Sequence, residues 1–184
     1  MKVVVIRHGE RDYAPCYERN FIGQGLELAP LTALGCRQAE EAARDPRLTG
    51  AQLIVSSPYT RCMQTAAIIS RMTNIPLAVE VDLHEWLPDI KFRNKPGDGK
   101  RRGADFHACK GRWPKGRKRR WETIDMMAER LIKTLKKYLS YDKIIVVTHA
   151  MLMHQIKAFG HIPNCHVDEF DFNENFTSPG WTEH

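Results

Sequence analysis

Four short apolar runs, each ending abruptly on polar residues, constrain this chain more than any other feature. Val3, Val4, Val5 and Ile6 follow one another without interruption, as in a central strand buried on both faces, and the run stops on Arg7, His8 and Gly9. Leu53–Val55 stops on Ser56, Ser57 and Pro58, with Arg61 three residues on. Ile144–Val147 stops on Thr148 and His149, and the weaker run Leu77–Leu83 stops at His84–Glu85. Strands of this kind deliver whatever follows them to one edge of a sheet, where open α/β folds bind ligands. Gly9 is expected to let the chain turn close to a ligand there.

Helical patterns lie between the runs. Thr32 is an N-cap candidate for a helix burying Leu34, Ala39, Ala42 and Ala43, which Asp45–Pro46 stops. Ser57 is expected to cap a second helix, with Pro58 at its first position and Asn74 and Pro76 ending it near Thr73. Ile124, Ala128, Leu131, Leu135 and Tyr138 give an amphipathic helix over Glu122–Leu139, and a further helix runs from about His149 to Phe159, closed by Gly160. Alternation of strand and helix predicts an α/β fold, a three-layer α/β/α sandwich with a mainly parallel central sheet. Val167–Phe172 is a candidate edge strand, and the last dozen residues read as a tail.

At 184 residues and 42% hydrophobic composition, one domain spanning residues 1–184 is expected. No apolar run reaches the roughly 18 residues of a membrane span, and the charged start lacks the apolar core of a secretion signal, so the expected location is cytoplasmic, without a membrane partner. Cys16, Cys36, Cys62, Cys109 and Cys165 are odd in number and contain no C-x-x-C, which points to reduced thiols rather than disulfides or a zinc ribbon.

The strand ends together offer Arg7, His8, Arg61, Glu85 and His149. Each alone has a duller reading: a structural histidine, a solvated helix arginine, a surface carboxylate. Convergence of all five at the carboxyl ends of separate strands is what argues for chemistry. A neutral imidazole at His8 can attack phosphorus. Arg7, Arg61 and a protonated or donating His149 can neutralise the equatorial oxygens, and a protonated Glu85 can supply the leaving group with its proton. Two guanidiniums supply the positive charge that magnesium provides elsewhere, so neither metal nor cofactor is expected. A metal site on His8, Glu10 and His149 is the chemical rival, disfavoured because two arginines would repel a dication.

R-H-G-E at 7–10, P-L-T-A-L-G at 30–35 followed by Gln38-Ala39, S-S-P-Y-T-R at 56–61 with Gln64-Thr65-Ala66, and T-H-A at 148–150 resemble the histidine phosphatase superfamily, also called phosphoglycerate mutase-like. The resemblance spans roughly residues 1–160. It implies a phosphorylated nucleophile at His8, a phosphate pocket of Arg7, Arg61 and His149, and a proton donor at Glu85. Gln24 and Gly25 resemble the family's phosphate-side Q-G, and Ala150 follows the second histidine. These three are the substrate-binding candidates, and a small phosphorylated molecule is the implied substrate, hydrolysed by a phosphatase or moved by a mutase.

The net charge of +6 is concentrated in one insertion. Residues 91–121 hold 13 Lys or Arg against Asp98 and Asp105, while the remainder carries 15 basic and 20 acidic residues. The insertion, at about 91–120, shows neither helical nor strand period and reads as a long surface loop. A solvated loop or a lid over the site is favoured over a nucleic-acid surface, since no nucleic-acid-binding signature accompanies it. A catalytically silent polyanion-binding protein remains the alternative from another class.

Overall fold

The computed structural model describes residues 1–93 and 95–181; the end of the expected tail lies outside the described residues. Five strands form one sheet: β1 (Lys2–Arg7), β2 (Leu53–Ser56), β3 (Leu77–Val79), β4 (Lys143–Thr148) and β5 (Val167–Asp171), in the order β3-β2-β4-β1-β5. The first four are mutually parallel, and β5 runs antiparallel beside β1 at the edge. Helices cover both faces, because β-strand side chains alternate sides. Val3 and Val5 join the layer of α4 (Asp98–Ala108), α5 (Ile124–Lys136) and α6 (Ala150–Met153). Val4 and Ile6 join the layer of α2 (Ala33–Ala42) and α3 (Thr60–Thr73). All four side chains are fully buried, each contributing about 1.5–3 kcal/mol of apolar transfer.

Register sets the site. Arg7 pairs with Thr148 and Ser56 with Val147, so His8, Ser57 and His149 leave three neighbouring strands at one level. The β3 arm reaches the same edge by another route. After Val79 the chain leaves the sheet in a 3-10 turn, Val81–Leu83, rather than extending the strand to Leu83, and the Thr148 hydroxyl donates to the Leu83 carbonyl at 2.9 Å.

Several elements differ from expectation. The stretch 11–29, which has no clean periodicity in sequence and reads as a loop over the site, instead contains α1 (Ala14–Glu18), started by Pro15 and anchored by buried Cys16, and a 3-10 segment, Gly23–Leu28. On α2, Thr32 caps as expected, accepting from the Gly35 amide, but Leu34 is 44% exposed and Gly35, Ala39 and Ala42 form the buried side. α3 begins at Thr60, not Pro58, with no side-chain cap. Past Met153 the helix expected to reach Phe159 gives way to tight turns, with Gln155 and Ile156 amides bonding three residues back, so that both Ile156 and Ile162 enter the core.

The basic insertion is a correction of another kind. It contains the eleven-residue α4, whose buried residues are Arg102 and Phe106. Asp89, fully buried at its carboxylate, organises the segment: it accepts from the Lys91 and Arg93 amides at 3.0 Å and from the guanidiniums of Arg102 and Arg120. These bonds hold its carboxyl down at about 2. Trp121 and Phe106 meet edge to face and seal the insertion onto α5. All five cysteines are free thiols, and no helix among the described residues is long and apolar enough to cross a membrane.

Candidate active site

The pocket begins at the end of β1. The His8 amide donates to the Thr148 carbonyl, and its own carbonyl accepts from the Asn164 side chain at 3.1 Å and the Cys165 amide at 3.3 Å. The ring is 1% exposed. Its Nδ1 lies 2.7 Å from the Gly9 carbonyl, an acceptor only, so Nδ1 carries the proton and Nε2 holds a lone pair. Burial and the adjacent Arg61 charge push the imidazole down to about 3, leaving it neutral over the physiological range.

Arg61 stands in the first turn of α3 with 3% of its surface exposed. Its Nε donates to His8 Nε2 at 3.1 Å and its Nη2 to His149 Nδ1 at 3.1 Å, so one guanidinium bridges the two imidazoles. The rings sit edge to face with centroids 5.2 Å apart. Because His149 Nδ1 accepts, Nε2 bears the hydrogen and donates to Ser57 Oγ at 2.8 Å. Burial, Arg61 and His8 drive His149 far below its ordinary value. These surroundings favour the neutral ring over the protonated one, with its hydrogen directed to Ser57.

Arg7 is partly buried. Its Nη1 donates to the Ile162 carbonyl, while its buried Nε has no hydrogen-bond partner among the described residues. Its charge is felt by His8, Arg61 and Glu85. Glu85 joins this group from the segment that follows the 3-10 turn after β3. Burial raises its carboxyl, against the opposing pull of the Trp86 amide, 2.8 Å from Oε1, and of Arg61. Glu80, its neighbour in sequence, turns away to Lys137 and Tyr138 at 2.7 and 2.8 Å. Glu10, the carboxylate of the rival metal set, instead accepts from Thr32 Oγ1 at 2.7 Å.

The substrate-binding candidates lie further out. Gln24 donates to the Tyr59 hydroxyl, and the Tyr59 ring in turn lies under the Arg61 guanidinium at 5.1 Å. Gly25 packs against Phe21, and Ala150 opens α6 with its side chain against the core. Gly9 serves packing rather than a ligand: a Cβ there would sit 2.5 Å from the Gly35 carbonyl oxygen of α2.

Residue patterns did not single out Glu27, Tyr59 or Arg11. Glu27 pairs with Arg61 Nη1, and Arg11 lies over Tyr13 within electrostatic reach of His8. Glu27 and Arg11 gave a weak signal because they sit in the irregular stretch after β1; Tyr59, at the start of α3, stood inside the S-S-P-Y-T-R motif without a role of its own. Ser57 was read as a helix cap; it orients His149 instead.

A family model described as histidine phosphatase superfamily (branch 1) matches residues 3–177. The chain belongs to the histidine phosphatase superfamily. The chain is similar to the uncharacterized phosphatase PhoE of Bacillus subtilis (strain 168), 30% identical over 160 residues, which cover 84% of this chain and 74% of PhoE. The probable phosphoglycerate mutase GpmB of Proteus mirabilis (strain HI4320) is 24% identical, with 98% of this chain and 90% of GpmB covered. Among solved structures, Bacillus stearothermophilus YhfR superposes with a TM-score of 0.69 at 17% identity, covering 99% of this chain and 98% of YhfR. Mycobacterial glucosyl-3-phosphoglycerate phosphatase Rv2419c superposes with a TM-score of 0.68 at 21% identity, covering 91% of this chain and 88% of its own. Both carry the superfamily's α/β fold. Phosphatases and mutases alike stand among these relatives, so the chain is a phosphatase- or mutase-like enzyme of the superfamily.

Proposed function

We propose that this chain, acting as one domain, is a metal-independent phosphatase that hydrolyses a phosphomonoester through a phosphohistidine at His8. The observation that carries the reading is the double bridge from Arg61 to His8 Nε2 and His149 Nδ1. It places a cation beside the one His8 nitrogen that carries a lone pair, and the hydrogen bond between them gives way as that nitrogen attacks.

In the first step His8 Nε2 attacks phosphorus and the bond to the ester oxygen breaks. Charge on the three equatorial oxygens is balanced by Arg7, whose Nε lacks a partner among the described residues, and by Arg61, with His149 donating once substrate takes its Nε2 hydrogen from Ser57. Glu85, its carboxyl raised by burial, gives its proton to the departing oxygen. In the second step the same carboxylate takes a proton from water, which attacks phosphorus and returns His8 to the neutral ring. Gln24, Gly25 and the Ala150 amide frame the phosphate side. Fixed guanidiniums perform the charge neutralisation that a metal performs in other phosphoryl-transfer enzymes.

Incubation with a labelled phosphoester should leave an acid-labile, base-stable label on the protein, absent from His8→Ala. A label that survives this substitution overturns the assignment. The similarity to GpmB favours a second reading, a phosphomutase on the same residues. Rapid release of inorganic phosphate supports the phosphatase, and retention of the phosphoryl group until it reaches a second acceptor supports the mutase.

A further inference from the structure

A cleft of about 530 Å³ opens beside the catalytic group and is not used by the chemistry above. One side is the stretch after β1, which offers the Tyr13 and Tyr17 rings, Phe21 and Leu26. The other is the start of the basic insertion, with Lys95 and Lys100. Glu27 lines the cleft and also pairs with Arg61, so the cleft adjoins the phosphate pocket through that one side chain.

Its composition is selective. Clefts of about 300–1,000 Å³ suit an organic group of several rings' size, far larger than a triose. Tyr17 is 60% exposed and meets Tyr13 with ring centroids 5.8 Å apart and planes tilted by 37°, an aromatic wall that offers ring faces to a planar group. The charges opposite are divided by type. Arg101 and Arg102 are engaged by Asp98, and Arg102 and Arg120 by Asp89. The exposed ammonium groups of Lys95 and Lys100 form no ion pair among the described residues.

We infer that this cleft receives the leaving group of the substrate, and that the preferred substrate is a phosphomonoester of an alcohol with a planar, apolar body and a second anionic group. The body lies along Tyr13, Tyr17 and Phe21, and the second anion meets Lys95 and Lys100. This assignment rests on the phosphatase reading. It gives the basic insertion a part in substrate choice, as one wall of a binding cleft.

The test compares kcat/KM for three esters: glycerol phosphate, naphthyl phosphate, and naphthyl phosphate carrying a sulfonate on the distal ring. The wild-type enzyme should prefer the sulfonated ester over the plain naphthyl ester by about three- to tenfold, the range expected of exposed charge pairs. Lys95→Ala combined with Lys100→Ala should bring that ratio close to one, and Tyr17→Ala should lower both naphthyl esters relative to glycerol phosphate. Each readout is a ratio within one preparation, so the folded fraction cancels. A wild-type enzyme indifferent to the three esters, or a sulfonate preference that survives loss of both lysines, overturns the inference. Binding of naphthol sulfonate to His8→Ala, followed by its fluorescence, checks the cleft without turnover. Binding weakened by the lysine substitutions, together with a wild-type enzyme that cleaves none of the three esters, would sink the phosphatase reading and keep the cleft; binding unchanged by the lysine substitutions would sink the cleft alone.

Discussion

Arg61 divides its three nitrogens among His8, His149 and Glu27, and most of the site's electrostatics follow from that division. A lysine cannot reproduce it, since a guanidinium is a rigid fork and an ammonium a single point. In the proposed reaction the nitrogen that Glu27 occupies is one a phosphoryl oxygen could use, so the carboxylate would compete with the substrate anion. Glu27→Gln should therefore lower the inhibition constant for inorganic phosphate by about three- to tenfold, an effect the size of a partly exposed ion pair. Product-inhibition kinetics measure it, and weaker phosphate binding would mean that Glu27 orients Arg61 rather than opposing the ligand. At Glu85 the raised carboxyl sets a direction with pH. Its acid form persists above the ordinary carboxylate range and is lost on further alkalinisation, so kcat/KM should fall on the alkaline side. Glu85→Gln should flatten that limb and slow esters of poor leaving groups by about 10²- to 10⁴-fold, with 4-nitrophenyl phosphate affected least.

At the level of elements, two contacts hold the strand ends in place. Gly9 and Gly35 bring the β1 exit against α2 so closely that the Cβ of Gly9→Ala would meet backbone, 2.5 Å from an oxygen and 3.1 Å from a carbon. Neither partner is a flexible side chain that can swing aside. We expect Gly9→Ala to cost about 1–3 kcal/mol, read as a lower denaturation midpoint, and to reduce turnover by displacing His8. The second contact clamps the segment carrying Glu85. Glu122 accepts from Arg130 at 2.6 and 3.1 Å and from the Leu87 amide at 3.1 Å; Arg130 also donates to the Asp82 carbonyl, and Trp86 Nε1 donates to the Glu122 carbonyl at 2.7 Å. Arg130→Ala leaves a nearly buried carboxylate without its cation, a loss of about 3–5 kcal/mol. Because Arg130 acts through Glu85, kcat on alkyl phosphates should fall more than kcat on 4-nitrophenyl phosphate; equal falls on both would leave the clamp a purely structural role.

For the molecule as a whole, the two buried neutral histidines tie stability to pH. His8 is held at about 3, and His149 far below its ordinary value, whereas both take up protons near 6.5 once unfolded. Between those limits the unfolded chain binds more protons than the folded one, so stability falls as pH drops from about 6.5 toward 3. Thermal unfolding temperatures across that window should decline, and His8→Gln should make the decline shallower. An unchanged slope would mean that His8 is protonated in the folded protein. Asp89 acts in a lower window: its carboxyl, depressed from 3.8 to about 2, adds stability above 3.8 that is lost as pH falls through about 2. If the proposed pocket takes phosphate, inorganic phosphate should raise the unfolding temperature, since that pocket exists only in the folded chain.

The layered, mainly parallel sheet, the standing of His8 and His149 at strand ends and the motif pattern of the superfamily were legible because they rest on local rules; the strand order that sets the two histidines side by side was not. An unbroken apolar run must be buried on both faces, and a polar residue straight after it must lie at the sheet's edge. The insertion was not legible in the same way. The buried side of α4 includes an arginine, so it shows no apolar period, and only the distant Asp89 explains why that arginine can be inside. Leu34 failed for a similar reason: helix position marked it as a core residue, but the close approach of Gly35 to the β1 exit turns it outward. The sequence by itself determined which groups stand at the strand ends. Tertiary structure decided their protonation and tautomers, since these depend on burial and on partners such as Arg61, 53 residues from His8 and 88 from His149.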